Sequence, residues 1–337
     1  GPSVRSEDGV SDDGLMGKTV ESFVDDTVVK SKLEREHIND LARVLIRLIT
    51  NNITIKMEKG VWGTKKLPLL GHLVLCKNGV AADPGKVSAM AALKPPTLVH
   101  EVRSFLGASG FLHRFIPEYS TWAASLRTLD DGTKTGCTEA QWSEHTRASF
   151  EAIKLALISA PVLYFPDFSK PFIICVDASK DQMGACLCQR DEHGNERPIA
   201  YASTKLSTAE QNYSISQREG LGVVWACRKW KHYIACSPTV VVTDHQALLS
   251  LRKPLKEFTN DRLYRFAFAL DQYDLVLCHR PGAELFMADV LSRVPADLDE
   301  AVVAEVVERS WNRTASLVTE HPQWLGRCLR KVQLRQG

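Results

Sequence analysis

A mixed α/β fold is predicted for the larger, C-terminal part of this chain of 337 residues, and three observations predict it. Two runs rich in β-branched residues, "FIICVDAS" and "TVVVTDH", read as strands buried on both sides. Between them "GACLCQRDEHGNERPIAYAS" reads as a hairpin turning at Gly194-Asn195. Helical patterns then alternate with further strands, so a meander is followed by strand-helix-strand units, which is the order of a mixed sheet covered by helices.

The elements follow in chain order. Residues 1–14 are polar and rich in Gly, Ser and Asp, and read as a disordered lead. Within 15–82, Val20 to Ser31 gives strand, Asp-Asp turn, strand. A helix fits Glu34 to Asn51, where Ile38, Leu41, Leu45, Leu48 and Ile49 recur at helical spacing. In "LPLLGHLVLCKNGVAADP", Asn78-Gly79 predicts a two-residue hairpin turn, because both positions tolerate positive φ. Residues 83–157 read as a helical unit: Asp83-Pro84 opens a helix that "KPP" at 94–96 closes, and Thr97 is expected to cap the next. A further helix spans Gly110 to Leu129 with a break near Pro117.

After "SAPVLYFPDFSKP" the sheet domain, 158–295, begins. Its pattern predicts one long helix from about Thr208 to Ala235, the strand "TVVVTDH", a helical stretch to Leu270, the strand "YDLVLCH" and a short helix ending at "ADVLSR". Residues 296–337 form a tail in which "DLDEAVVAEVVERS" fits one amphipathic helix.

Composition excludes some classes. A hydrophobic content of 44% and a charged content of 24% are those of a globular protein, and the net charge of +2 does not select a partner. No apolar run approaches the roughly 18 residues that span a bilayer, and "GPSVRSEDGVSDDG" is too polar for a secretory signal. The nine cysteines form no C-x-x-C pair, and their odd number argues against complete internal disulfide pairing. These features predict an intracellular protein, cytoplasmic or nuclear, with no membrane partner.

Four carboxylates of the sheet domain stand where chemistry needs them. Asp177 ends the first strand, Asp244 ends "TVVVTDH", Asp289 lies in the last helix and Glu219 lies within the long helix. Ligands bind outside the carboxyl ends of strands in open α/β sheets, so Asp177 and Asp244 share one edge if their strands are neighbours. Val223, Ala226 and Trp230 follow Glu219 at i+4, i+7 and i+11, which places it on the inward face of its helix. A carboxylate there needs a partner, and a metal ion is a good one. Oxygen ligands suit magnesium, and two ions roughly 3.5 to 4 Å apart activate a water and stabilise a leaving oxygen in phosphodiester hydrolysis. Asp177 is the natural bridging ligand. The competing reading of a strand-end aspartate is a turn former or helix cap.

The segment "VDASKDQMGACLCQ…RPIAYASTKLSTAEQNYSISQREGLGVVWACRKWKHYI…VVTDHQALLSL…YDLVLCHRPGAELFMADVLSR" closely resembles the ribonuclease H domain of Gypsy-type LTR retrotransposon Pol polyproteins. The preceding "FVDDTVVKS…LGHLV…PGKVSAM…EVRSFLGASGFLHRFIPEYS" resembles the end of the reverse transcriptase palm and the thumb of the same family. Together the resemblance covers about residues 20–295. It implies a ribonuclease H-like mixed five-stranded sheet with flanking helices, preceded by a truncated α+β palm (15–82) and a helical thumb or connection (83–157). It also implies metal ligands at Asp177, Glu219, Asp244 and Asp289, two Mg2+ ions with Mn2+ as a substitute, and cleavage of the RNA strand of an RNA–DNA hybrid, told apart by its 2′-hydroxyl.

By the same resemblance Asp25 and Asp26 fall on the metal-holding turn of the polymerase. A third polymerase carboxylate and the nucleotide pocket are expected upstream of this chain, so the polymerase part reads as incomplete. Two other readings stay open: part of an active RNA-directed DNA polymerase within a Pol polyprotein, and a decayed or domesticated remnant that binds nucleic acid. "RKWKHY" (228–233), Arg252, Lys253 and Lys256 are candidates for following a phosphate backbone, or else a solvated face. His245 and Arg280 are candidates for supporting the site or touching the hybrid. Cys186 and Cys188 read as packing residues, and His232, His279, His321 and Cys328 show no metal-ligand spacing.

Overall fold

The computed structural model describes residues 15, 17–23, 26–76, 78–130, 141–252 and 260–280. It divides into two compact units, residues 1–69 and 70–337. In the first unit, β1 (Val20–Phe23) and β2 (Asp26–Val29) pair antiparallel, with Val20 opposite Val29 and Phe23 opposite Asp26. The helix α1 (Glu34–Thr50) follows, within a residue of its expected end, and then β3 (Lys66–Leu69). Of α1 only Val44 is buried, and Ile38, Ile46 and Ile49 are exposed.

The second unit opens with β4 (His72–Leu75) and β5 (Gly79–Ala82). Their register pairs Leu75 with Gly79, so the expected two-residue turn at Asn78-Gly79 is instead a three-residue connection, and Gly79 already belongs to the strand. Gly79 has φ of +140°, and a Cβ there would run into the Leu163 carbonyl. That close approach exists because Val80 and Leu163 exchange both backbone hydrogen bonds.

Helices follow as predicted, with shifts at their ends. α2 (Pro84–Ala91) is capped by Asp83, which accepts from Gly85 N. α3 (Val99–Phe111) is not capped by Thr97: Leu98 holds the cap position, and Glu101 Oε2 reaches back to accept from the Thr97 and Leu98 amides. The acidic side chain satisfies those donors, so no hydroxyl is needed at the cap. A tight turn over His113–Phe115 leads past Pro117 into α4 (Tyr119–Arg127), and α5 (Glu144–Ile158) starts at Ser143, whose side chain accepts from Thr146 N.

The sheet comprises β6 (Phe172–Ala178), β7 (Gln182–Arg190), β8 (Glu196–Lys205), β9 (Thr239–Thr243) and β10 (Leu275–His279) in the order β10-β9-β6-β7-β8. β10, β9 and β6 run parallel, and β6, β7 and β8 antiparallel. Between β8 and β9 the expected single long helix is three: α6 (Thr208–Gln211), α7 (Ile215–Lys229) and α8 (Lys231–Ile234). Ser207 and Ser214 each accept from a backbone amide three residues on, so two hydroxyl caps restart the helix inside one apolar period. Between β9 and β10 the described helix is α9 (Asp261–Leu270).

Both faces of the sheet are covered, which explains the unbroken hydrophobic runs of its central strands. Phe172, Ile174, Val176, Val241, Leu275 and Leu277 pack with Val223, Ala226 and Trp230 of the α7 region and with Phe266 and Leu270 of α9. On the other face Ile173, Cys175, Tyr201 and Val242 share a core with Phe105, Trp122, Leu126, Phe150 and Ile153 of α3 to α5. Helices of the segment 83–157 thus share a core with the sheet. Helices that look self-sufficient in sequence bury their apolar faces on the sheet, because a sheet apolar on both faces needs two covering layers. The expected last helix at "ADVLSR" and the tail helix lie outside the described residues.

Candidate active site at the ends of two parallel strands

The register of β6 and β9 pairs Cys175 with Val242, and two residues further along it sets Asp177 level with Asp244, just past the end of β9. Side chains at strand ends are fixed by the ladder behind them, so the two carboxylates arrive at one edge from separate parts of the chain. Glu219 comes from α7, which lies against β6. Gly222 makes that approach possible, since a Cβ there would stand 3.0 Å from Val176 Cγ1. Glu219, one turn earlier, then reaches the strand end, where Ala178 N donates to its Oε1 at 3.3 Å.

One oxygen from each of Asp177, Glu219 and Asp244 lies within 4.8 Å of the others. Asp177 is 6% and Glu219 4% exposed, while Asp244 is half-buried. Burial, together with the negative charges of Asp177 and Asp244, pushes the Glu219 carboxyl up to about 8, against the opposing pull of the Ala178 amide and Arg218. Its Oε2 is buried with no hydrogen-bond partner among the described residues. Converging buried carboxylates with an unmet oxygen are the arrangement that a hard cation satisfies, and an all-oxygen donor set suits Mg2+ or Mn2+. The residues present fit such ions.

Neighbouring side chains hold this edge in place. His245 Nε2 lies 2.7 Å from Ser216 Oγ, one turn before Glu219, and so ties α7 to the end of β9. His279 Nε2 is 3.0 Å from the Asp244 carbonyl oxygen. Arg280 donates its backbone N–H to the Thr243 carbonyl, and its guanidinium lies 3.6 Å from Glu196 Oε1.

A third buried carboxylate, Glu118, comes from the turn before α4, and its sequence context does not mark it as a site residue. It is 1% exposed, accepts from Gln182 Nε2 at 3.4 Å, and Gln182 in turn accepts from Thr121 Oγ1. Burial first, then the charge of Asp177, hold Glu118 well above the usual carboxylate range despite the Gln182 hydrogen bond. In sequence it follows Pro117 at a helix start, a place normally wet. Ser216 did carry a signal, since it shares the face of Glu219 at i−3.

The other candidates fare differently. Asp289 and Asp25 lie outside the described residues, as do Lys253, Lys256, His321 and Cys328. Asp26 begins β2 and is exposed. In "RKWKHY" the cations Arg228, Lys229 and Lys231 are exposed, but Trp230 is 3% exposed in the core and Tyr233 packs against Phe168 and Phe172. That tryptophan is unavailable for stacking on a nucleic acid, because apolar area is buried wherever the helix end meets the sheet. Cys186 and Cys188 are buried, as expected of packing residues.

Comparison with known proteins agrees with this architecture. Residues 142–241 match the model of an RNase H-like domain found in reverse transcriptase. Over 293 residues the chain is 34% identical to the retrovirus-related Pol polyprotein from transposon opus of Drosophila melanogaster, covering 85% of this chain and 29% of that protein. It is 32% identical over 287 residues to the corresponding polyprotein from transposon gypsy of the same fly, covering 82% and 27%. With the transposon Tf2-3 polyprotein of Schizosaccharomyces pombe it shares 30% identity over 304 residues, covering 88% and 22%. The chain thus spans less than a third of the length of these relatives. Among solved structures, a foamy viral protease-reverse transcriptase in complex with RNA/DNA hybrid superimposes with a TM-score of 0.68 at 19% identity, covering 83% of this chain and 37% of that one. By domain match and polyprotein relatives together, the chain is similar over most of its length to retrotransposon Pol polyproteins, gypsy among them, and contains an RNase H-like domain of the kind found in reverse transcriptase.

Proposed function

We propose that this chain hydrolyses the RNA strand of RNA–DNA hybrids at the edge where β6 and β9 end. The observation that carries this reading is the convergence of Asp177, Glu219 and Asp244, drawn from two strands and a helix to within 4.8 Å of one another. Two bound Mg2+ ions, or Mn2+ in their place, would supply an activated water and neutralise charge on the scissile phosphate and leaving oxygen. Asp177, at the end of the central strand β6, is proposed as a ligand of these ions. Glu219 and Asp244 complete the oxygen set, and Asp289 is proposed as the fourth carboxylate.

The chain's own residues do the positioning. The parallel register holds Asp177 and Asp244 level, and the Ala178 amide fixes one Glu219 oxygen so that the other is left for the ligand. The Ser216–His245 contact prevents α7 from drifting away from β9. The foamy viral neighbour solved with an RNA/DNA hybrid supports that substrate class as a fold-level analogy. Asp25 and Asp26 are proposed as metal ligands of a polymerase part within a Pol polyprotein.

The test is nicking of a labelled RNA–DNA hybrid by the purified chain with Mg2+. D177N is expected to lower the rate by at least about 100-fold, the scale of losing a group that stabilises the reacting charge. Undiminished cleavage by D177N would refute the site. Hybrid binding with no cleavage by the unaltered chain would favour the binding-remnant reading.

A further inference from the structure

The sheet face that packs on α3 to α5 carries Cys175, Cys186 and Cys188, all free and all at most 4% exposed. The antiparallel register sets Cys175 directly opposite Cys186, and Cys188 lies on the same face of β7. The Cys188 thiol donates to the Ile173 carbonyl at 3.6 Å and the Cys186 thiol to the Leu187 carbonyl at 3.8 Å. Glu196, the first residue of β8, adds a carboxylate: one of its oxygens and the sulfurs of Cys175 and Cys188 lie within 4.8 Å of one another.

Glu196 Oε1 is buried and accepts no hydrogen bond among the described residues. Arg190 Nη2 and Arg280 Nη2 face it at 3.7 and 3.6 Å, which is longer than a hydrogen bond. The carboxylate thus lies near two guanidinium groups, with one of its oxygens within 4.8 Å of the two sulfurs.

We propose that Cys175, Cys188 and Glu196 form a site for a soft divalent ion of the zinc class, with its fourth position beside Cys186. Zinc holds sulfur at about 2.3 Å and carboxylate oxygen at about 2.0–2.2 Å, so tetrahedral ligand atoms stand somewhat under 4 Å apart. The ligand atoms, within 4.8 Å of one another, would draw together on binding to reach that spacing. On binding, the two thiol protons leave to solvent, and the resulting triple negative charge is balanced by the ion together with the two guanidinium groups. Thiolate ligands select against magnesium, so this site and the all-oxygen edge at Asp177 sort different ions. The site faces the helical layer, where a bound ion would pin β6, β7 and β8 beneath α3 to α5.

The test is a Co2+ or Cd2+ titration of the reduced, metal-stripped full chain, in excess Mg2+, with exposed Cys76 and Cys236 replaced by serine to remove surface thiols. The proposal expects a thiolate-to-metal charge-transfer band saturating at one ion per chain. The band should be unchanged in D177N, and C188A and E196Q should weaken binding at least about tenfold. A missing band, or an unaltered titration in both variants, would show that these are only packing thiols. If C188A fails to fold by circular dichroism, E196Q and the volume-matched Cys175→Val decide the question by the same criterion.

Discussion

Two acidic clusters in this chain look alike as letters and differ as structures. In the first unit Asp26 stands exposed at the start of a two-stranded ribbon whose only buried residue is Val20. In the second, Asp177 and Glu219 are buried at the edge of a five-stranded sheet held between helical layers. The difference is one of support. An isolated hairpin is marginal in water, whereas a carboxylate at the end of a central strand inherits the rigidity of the whole ladder. Only the second setting can force like charges together and hold them there, as Glu219 shows by its rise to about 8.

The contrast can be broken most directly by activity. Against the loss of about 100-fold or more expected for D177N, the exposed D26N should leave hybrid nicking within about twofold of the unaltered chain. Equal losses in the two variants would mean that the clusters act together.

Stability gives the next largest effect. Phe150 is fully buried in the core shared by α5 and the sheet, so F150A should destabilise the second unit by about 3–5 kcal/mol, measured by urea unfolding. Ile38 of α1 is 71% exposed, and I38A should change stability by less than about 0.5 kcal/mol. A small effect of F150A would show that helices and sheet do not share a core.

The smallest effect sharpens the electrostatics of the site. Glu219 has a folded pKa of about 8, above its ordinary value of 4.5, so the folded state holds its proton more tightly than the unfolded state does. The stability this contributes is complete below about pH 4.5 and is lost as pH rises through about 8. In metal-free solution E219Q should therefore gain Tm relative to the unaltered chain between pH 6 and pH 9, since each pKa unit carries about 1.4 kcal/mol. Saturating Mg2+ should reverse that order. A Tm difference independent of pH would remove the charge crowding assigned to the site.

Much of this was legible beforehand, and the residues show why. The unbroken apolar runs of β6 and β9 announced strands covered on both faces, and Val223, Ala226 and Trp230 turned Glu219 inward by helical period alone. Thr97 does not cap α3 and the long helical period is interrupted, because side-chain caps compete with periodicity: Glu101 satisfies the start of α3, and Ser214 starts α7 anew. Trp230 lies both on the inward period of Glu219 and within the cationic run "RKWKHY", and the core takes it because the end of α7 meets the sheet.

By itself the sequence determined the strands, most of the helices, their inward faces and the carboxylates at strand ends, since period and turn chemistry act over a few neighbouring residues. Only the tertiary structure decided what lies beside what: Asp177 near Asp244, Glu118 buried against Gln182, two cysteines beside Glu196, and α3, α4 and α5 sharing a core with the sheet. Those pairings join residues far apart in the chain. They are set by register and by packing of whole faces, which no local pattern of residues encodes.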